Sequence, residues 1–469
     1  MDITRKAPAG TIGQASRLRG FGPWLHRTYF RSTGAHFFVS RRVRPAGVAL
    51  GLVFVLATCL GIGHERGSIY QLFSLSFAML ALGLPLAFLR RAKLHATREV
   101  PRYATVGEPL RYPVRVRNHG RRSISRAWLG ESPPDPRPDV TDFTKLREPG
   151  EEERNRFDRT FAYFRWQWLM LRNRLFTEGA SADEIRLKPD ESARVFVELT
   201  PLRRGVIRLH DLRVFLPDPM GLFQRCLKVR AEPSTITVLP RRHPLPLIEM
   251  PGGAAFQITG ESNTNSIGNS GEFTGLRDYR AGDPLRQIHW KSWARTGRPI
   301  VKELEDTHYP RYGLVLDTLS TDRTDVVFEE AVTVAASFAA AIDTSESLLD
   351  LMFVKNEAHV VTAGRGVERA EKLLEVLAAV TPEREGDFKP LAQLVLRHAD
   401  DLTSCLLVLN GWDDLRSQFV STLRQGGILC APIVIGHGPR PPGVPGYWIE
   451  SGEVARDLKR MPRQLTALD

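Results

Sequence analysis

The sequence predicts a multidomain chain: a transmembrane α-hairpin, then a β-sandwich domain, then an α/β domain built on a mostly parallel sheet. Three observations predict it. Two charge-free apolar runs stand near the start, Ala46–Gly63 and Ile69–Leu89. Short strand-like runs separated by turn residues follow over residues 94–240. From Tyr312 onward, apolar strands alternate with helical patterns. A chain of 469 residues has room for two or three such domains.

Residues 1–45 form a basic N-terminal tail, in which Asp2 is the only acid. Residues 46–93 form the hairpin. Each apolar run is close to the roughly 20 helical residues that cross a bilayer. Only His64-Glu65-Arg66-Gly67-Ser68 separates them, so the two helices must run antiparallel. Pro85 falls inside the second run, where a membrane helix tolerates it. Arg41, Arg42 and Arg44 precede the first run, and Arg90, Arg91 and Lys93 follow the second. The positive-inside rule puts both termini in the cytoplasm. A cleaved signal peptide is disfavoured, because the first apolar run begins about forty residues in and a second follows it. Two alternatives stay open: an organellar transit peptide, given the Arg-rich, acid-poor tail, and two buried helices of a soluble protein. The formal charge of +12 then points to anionic lipid rather than nucleic acid. Cys59, Cys226, Cys405 and Cys430 show no C-x-x-C or zinc spacing and read as reduced thiols.

In the sandwich region, Leu110, Tyr112, Val114 and Val116 alternate between Gly107 and the turn Asn118-His119-Gly120. Further strands are expected near Val195–Leu199, Val206–Leu209 and Leu212–Phe215. Arg204-Gly205 and Asp218-Pro219 punctuate them. In the turn Asp218–Phe223, Gly221 can supply a positive φ and Phe223 can plug a core. An insertion occupies about residues 150–190. There Phe157, Phe161, Phe164, Trp168, Leu171 and Leu175 recur at helical spacing among arginines. A basic aromatic helix of this kind can lie in a lipid interface. The same run also reads as a core helix or, through Phe164, Trp166, Trp168 and Met170, as a strand.

Residues 241–312 link the sandwich to the last domain, which spans 313–469. That domain reads as a strand at Gly313–Asp317, a helix at Asp325–Ile342, a strand at Leu348–Val354 and a helix ended by Pro382. A strand at Ser404–Asn410, a helix starting near Trp412 and a strand at Gly426–Gly436 complete it. There is no Walker lysine motif and no G-x-G-x-x-G after a strand, which argues against a nucleotide enzyme.

The densest stretch is Gly271–Asp317, GEFTGLRDYRAGDPLRQIHWKSWARTGRPIVKELEDTHYPRYGLVLD. Through Gly271, Glu272, Phe273, Leu276, Arg277, Tyr279, Gly282, Asp283, Arg286, Ile288, Trp290, Ala294, Arg295, Val301, Lys302 and Glu305, it resembles the signature of the bacterial "domain of unknown function 58" family. The resemblance implies a bacterial inner (cytoplasmic) membrane protein and disfavours the transit peptide. For the last domain it implies a von Willebrand factor type A-like, Rossmann-like fold. In that fold a D-x-S-x-S loop after the first strand can bind a divalent metal through oxygen ligands. Here the loop is Asp317-Thr318-Leu319-Ser320-Thr321. Asp317 and Thr321 match and Ser320 is one step out of register, but Leu319 offers no oxygen. The expectation is at most weak magnesium or manganese binding, with Asp317 otherwise capping a loop. The resemblance also implies a partner, a MoxR-type AAA ATPase, and in some cases a transglutaminase-like membrane protein.

Chemically, the signature mixes the acids Glu272, Asp278, Asp283, Glu303, Glu305 and Asp306 with Arg277, Arg280, Arg286, Lys291, Arg295 and Lys302. This near balance favours ion pairs over a catalytic dyad. Trp290 and Trp293, at i and i+3 beside arginines, suit a docking surface. We therefore expect a non-enzymatic adaptor that docks through Glu272, Arg277, Tyr279, Asp283, Arg286, Trp290, Trp293, Arg295, Lys302 and Glu305. The alternative is a hydrolytic enzyme using His289 with the nearby carboxylates.

Overall fold

The computed structural model describes residues 12–61, 67–246, 248, 250, 272–305, 310–320, 325–342, 347–355, 357–364, 370–384, 386–463 and 465. The chain divides near Arg241 into two compact units.

The first unit opens with α1 (Ile12–Ser40), α2 (Pro45–Gly61) and α3 (Ser68–Leu89). α2 and α3 pack together, with Phe54 stacked on Phe73 at 5.2 Å between centroids. Helix α3 buries the small residues Ser76, Gly83 and Ala87 and leaves Leu75, Leu82, Leu84, Phe88 and Leu89 exposed. Among the described residues, α3 is the one helix long and apolar enough to cross a membrane. α2 has 17 residues, which at 1.5 Å each reach about 25 Å, short of the roughly 30 Å of hydrocarbon.

The turn Asp218–Phe223 anchors this hairpin. Asp218 Oδ1 accepts the Phe223 N–H at 3.0 Å, and Gly221 sits at φ +75°. Arg44 N–H donates to the Leu222 carbonyl at 3.0 Å. A Cβ on Gly47 would lie 2.3 Å from that same carbonyl oxygen, so only glycine lets α2 approach. Phe223 lies against Gly83 of α3, where an added Cβ would meet its ring at 3.0 Å. It packs on the hairpin instead of plugging the sandwich core.

The sandwich strands are β1 (Leu94–Arg98), β2 (Tyr103–Thr105), β3 (Leu110–Asn118), β4 (Ile124–Glu131), β5 (Ala180–Ser181), β6 (Ile185–Leu187), β7 (Ser192–Leu199), β8 (Gly205–Leu209), β9 (Leu212–Pro217), β10 (Gln224–Lys228), β11 (Arg230–Ala231) and β12 (Ser234–Leu239). They form sheets ordered β11-β1-β3-β7-β5, β10-β9-β4-β6 and β2-β12-β8. Strand β3 alternates as its sequence does: Tyr112, Val114 and Val116 are buried, and Arg111, Arg115 and Arg117 face water. They join Leu129, Val197, Leu209, Val214 and Val238 in one core drawn from all three sheets.

Within that core lies an ion pair joining two sheets. Arg98 of β1 donates from Nε and Nη2 to Glu131 of β4 at 2.9 and 3.0 Å, and both side chains are fully buried. Arg98 Nη1 also donates to the Glu232 carbonyl at 2.6 Å, and the Tyr112 hydroxyl reaches Glu131 at 3.4 Å. Burial pushes both the Glu131 carboxyl and the Tyr112 hydroxyl above their ordinary pKa, and Arg98 opposes the rise at each.

The insertion is helical but broken. Ala162, at φ +49°, separates α5 (Arg156–Phe161) from α6 (Tyr163–Asn173). The buried face of α6 is Arg165, Trp166 and Leu169, not the expected stripe; Phe157 and Leu171 of that stripe are exposed. Trp166 and Leu169 pack with Leu25 of α1 and with Phe143 of α4 (Val140–Lys145). Trp166 Nε1 donates to Thr33 Oγ1 at 3.1 Å, and Tyr29 donates to the Phe161 carbonyl at 2.9 Å. A second buried pair, Arg165 with Glu151, supports this satellite core.

The second unit begins with the antiparallel hairpin β13 (Glu272–Asp278) and β14 (Ile300–Glu305), enclosing α7 (Trp290–Thr296). A six-stranded sheet follows: β15 (Arg311–Leu316), α8 (Val326–Ala341), β16 (Leu348–Lys355), β17 (Glu357–Ala363), α9 (Ala370–Ala379), α10 (Lys389–Arg397), β18 (Ser404–Asn410), α11 (Asp414–Gln425), β19 (Cys430–Gly436), β20 (Tyr447–Glu450) and α12 (Val454–Lys459). Its order is β17-β16-β15-β18-β19-β20, parallel except for the edge strand β17. Val315, Met352, Leu407 and Val434 face α10 and α11, and α8 packs on β15, β18 and β19. Strands buried on both faces read as continuous apolar runs. Helix α10 carries Pro390 in its first turn, where the missing N–H costs no helical bond. That proline hid the helix from pattern reading.

The buried pair gives a test of the sandwich. Arg98→Met leaves Glu131 desolvated without a cation and is expected to cost about 3–5 kcal/mol. Replacing both partners, Arg98→Met with Glu131→Leu, should recover most of the loss. Urea melts of the three variants check this; a double variant as unstable as the single one would show that packing, not charge, sets the cost.

Candidate functional site

Two places draw attention. One is the sheet's topological switch point, where strand order reverses between β15 and β18. In open parallel sheets, ligands collect at the carboxyl ends of the strands there. Asp317 directly follows β15 and Asn410 ends β18 at this point.

Asp317 is fully buried. Its Oδ1 accepts the Leu319 N–H at 2.9 Å, and its Oδ2 accepts the Asn410 N–H at 2.9 Å. Arg416 Nε donates to the same Oδ2 at 2.8 Å, and its Nη2 donates to the Leu319 carbonyl at 2.8 Å. Arg416 Nη1 donates to Asp413 at 2.6 Å, and the guanidinium lies over the Phe388 ring. Burial pushes the Asp317 carboxyl above the usual carboxylate range, while Arg416 and the two amides pull it back.

This arrangement decides the metal question on fit. Both Asp317 oxygens are engaged by protein donors, and the positive charge beside them is Arg416. Leu319 packs toward the apolar core under α10 and α11. Ser320 is buried, with its N–H donated to the Glu383 carbonyl at 2.8 Å. Thr321 lies outside the described residues. Among the described residues, no cluster of three or more His, Cys, Asp or Glu is placed to hold a metal ion. The described residues of the loop do not fit a divalent cation, because the Arg416 guanidinium stands beside both the Asp317 carboxylate and the Leu319 carbonyl.

Sequence reading passed over Arg416, although one local signal exists. It stands in the first turn of α11, after the N-cap Asp413, whose side chain accepts the Arg416 N–H at 2.9 Å. A cation there opposes the helix dipole. Such a misplaced charge points to a partner elsewhere in the fold.

The second place is the signature hairpin. Asp283 pairs with Arg277 through two parallel bonds of 2.7 Å and accepts the Arg280 N–H at 2.8 Å. The Arg277 guanidinium, helped by that amide, lowers the Asp283 carboxyl to about 2. It stays ionised at any ordinary pH and is no acid–base catalyst. Arg286, Arg295 and Lys302 are all exposed, and Asp283 pairs with Arg277. Lys302 lies opposite Leu276 in the strand pair, and Glu272 lies opposite Glu305, whose side chains are outside the described residues. Tyr279 is half-buried, and its N–H donates to the Pro299 carbonyl at 3.0 Å.

Trp290 is 63% exposed and stacks on Trp293 at 5.2 Å, so it is not a core residue. Leu276 and Leu285 are exposed close by in sequence. His289 N-caps α7; its Nδ1 lies 2.7 Å from Ser292 Oγ, a local contact across one helical turn. Elsewhere, burial raises the thiols of Cys405 and Cys430, the latter to about 12, so neither is a nucleophile.

Comparison with known proteins places both regions within one match. Residues 275–427 match the family model described as "Protein of unknown function DUF58". Over 185 residues the chain is 26% identical to "Uncharacterized protein YeaD" of Bacillus subtilis (strain 168). That alignment covers 39% of this chain and 44% of the relative, less than half its length. Among solved structures, the CARDB domain of a Pyrococcus furiosus protein aligns with 31% of this chain and 93% of its own at 12% identity, with a TM-score of 0.17. Manganese-loaded TRAP protein of Plasmodium vivax aligns with 33% and 73% at 14% identity and a TM-score of 0.25. Proximal thread matrix protein 1 of the mussel byssus aligns with 32% and 44% at 11% identity, also with a TM-score of 0.25. Scores this low carry no argument about this chain.

The switch point yields a test. Asp317→Ala orphans buried Arg416 and is expected to destabilise the full chain by about 3–5 kcal/mol. Leu319→Ser restores an oxygen, yet should leave magnesium and manganese binding undetectable, because Arg416 remains. Titration calorimetry on the purified chain checks this. Micromolar metal affinity in the Leu319→Ser variant would show that the guanidinium yields its place.

Proposed function

We propose that this protein is a membrane-anchored, non-enzymatic adaptor whose second unit docks a cytoplasmic partner through the signature hairpin. The observation that carries the reading is Trp290. A tryptophan so exposed, stacked on Trp293 and flanked by Arg286, Lys291 and Arg295, has the composition of a binding hot spot. The adjacent carboxylate, Asp283, is already consumed by Arg277 and has no chemistry to offer. The partner that the signature's resemblance implies is a MoxR-type AAA ATPase, acting in complex assembly or envelope-related maturation, in some cases with a transglutaminase-like membrane protein. The strand order, with one antiparallel edge strand, supports a von Willebrand factor type A-like domain in which an arginine has replaced the metal.

The same reading puts the chain in a bacterial inner membrane with α2 and α3 both spanning and both termini cytoplasmic. The bare apolar faces of the two helices and the arginines at both ends support it. Shortness of α2 is met by local thinning of the bilayer.

One observation favours a second reading, a hydrolase: the 2.7 Å contact of His289 with Ser292. An i, i+3 contact at a helix start is also what a simple cap makes, so it ranks second.

Crosslinked pull-downs from native membranes separate the two. Trp290→Ala is expected to leave stability within about 0.5 kcal/mol, as for other exposed sites, and to lose capture of the ATPase. His289→Ala should still capture it. Full capture by Trp290→Ala, with hydrolytic turnover lost in His289→Ala, would install the second reading.

Topology is checked separately with reporters fused after Lys93. A cytoplasmic reporter should be active there and a periplasmic one silent. Periplasmic activity would remove the cytoplasmic partner from consideration.

A further inference from the structure

At the root of the hairpin is an apolar cleft of about 240 Å³, lined by Phe38, Val39, Leu84, Phe88, Arg42 and Arg225 among others. One wall is α3 itself. Leu84 and Phe88 belong to that wall and to the exposed apolar face of the helix, so the cleft opens along the surface a bilayer would cover. The cleft is smaller than the roughly 300–1,000 Å³ that encloses a drug-sized ligand. It has room for part of one hydrocarbon chain.

Three polar residues line it, Arg42, Gln224 and Arg225, and two of them are cationic. Arg42 lies over the Phe38 ring at 3.6 Å, and its Nη1 donates to the Phe38 carbonyl at 3.3 Å. Arg225 uses Nη1 alone, donating to the last carbonyls of α3, Phe88 and Arg90. Among the described residues neither arginine meets a carboxylate. Gln224, between them in the wall, is tied to α1's end: its N–H donates to the Arg42 carbonyl at 2.7 Å and its Nε2 to the Arg41 carbonyl at 3.1 Å. Asp218 is buried and is not part of the lining. Two unpaired guanidinium groups beside an apolar slot form a site with one charge to satisfy.

We infer that this cleft binds an anionic phospholipid, with an acyl chain along Leu84 and Phe88 and the phosphate between Arg42 and Arg225. The inference rests on the membrane-anchor reading above. Arginine suits the phosphate because its planar fork binds oxyanions bidentately. The cytoplasmic leaflet supplies anionic headgroups where the flanking arginines place this end of the hairpin.

Native mass spectrometry of the full chain in detergent tests it, with phosphatidylglycerol and phosphatidylcholine of identical chains as probes. Phosphatidylglycerol is expected to stay bound at least tenfold more tightly than phosphatidylcholine. Arg42→Gln with Arg225→Gln should abolish that preference. Val39→Trp, at an exposed position of the lining, should fill the slot and displace both lipids while circular dichroism stays unchanged. Equal retention of the two lipids by wild type, or an unchanged preference in the double variant, overturns the site. An equal effect of inorganic phosphate alone would make it an anion site and overturn the lipid assignment. An alkaline carbonate wash of membranes reads the anchor independently. Wild type kept in the pellet with indifferent lipid binding sinks the lipid site alone, and release into the wash sinks both.

Discussion

A carboxylate taken out of water needs a counter-charge and enough donors to fill its lone pairs, and at four places in this chain arginine meets that constraint. Glu131 has Arg98, Glu151 has Arg165, Asp317 has Arg416, and half-buried Asp283 has Arg277. A lysine would supply charge without the planar fork. The guanidinium fork lets one cation bond a carboxylate and a main-chain carbonyl together, as Arg98 does with Glu131 and Glu232, and as Arg416 does with Asp317 and Leu319. The Arg98–Glu131 and Arg416–Asp317 pairs join segments that are far apart along the chain. The pairs therefore hold sheets and loops in register as well as balancing charge.

At the switch point this constraint has a functional consequence. The carboxyl ends of β15 and β18 are where an α/β sheet ordinarily receives a ligand. Here Arg416 enters from α11 and occupies the polar groups that would greet one. In the adaptor reading proposed above, recognition happens on another surface. The exposed Trp290 and Trp293 pair offers one, on a hairpin whose own acid is neutralised by Arg277.

The first unit shows the same economy at the hairpin. Gly47 and Gly83 let the two apolar helices approach the turn Asp218–Phe223 more closely than any side chain would allow. Phe223 and Leu222 are spent on that contact. The sandwich core is filled instead by Tyr112, Leu129, Leu209 and Val238, around the Arg98–Glu131 pair. The insertion likewise spends Trp166 and Leu169 on α1. Its remaining aromatics, such as Phe157, stay outside, because the break at Ala162 turns α5 and α6 onto different faces.

The sequence by itself determined what depends on local pattern: the apolar runs of the hairpin, the alternation of β3, the continuous strands β15, β18 and β19, and the cation clusters around residues 41–44 and 90–93. Periodicity and composition carry these, because they follow from backbone geometry repeated over a few residues. The tertiary structure alone decided which charge meets which. Arg416 stands 99 positions from Asp317, and Arg98 stands 33 from Glu131. From the sequence, Asp317 read as a metal ligand weakened by Leu319, and the charges of the signature as ion pairs with no partner assigned to Asp283. Neither reading had access to where strand ends and helix starts meet. A charge is visible in one dimension, but its desolvation and its partner exist only in three.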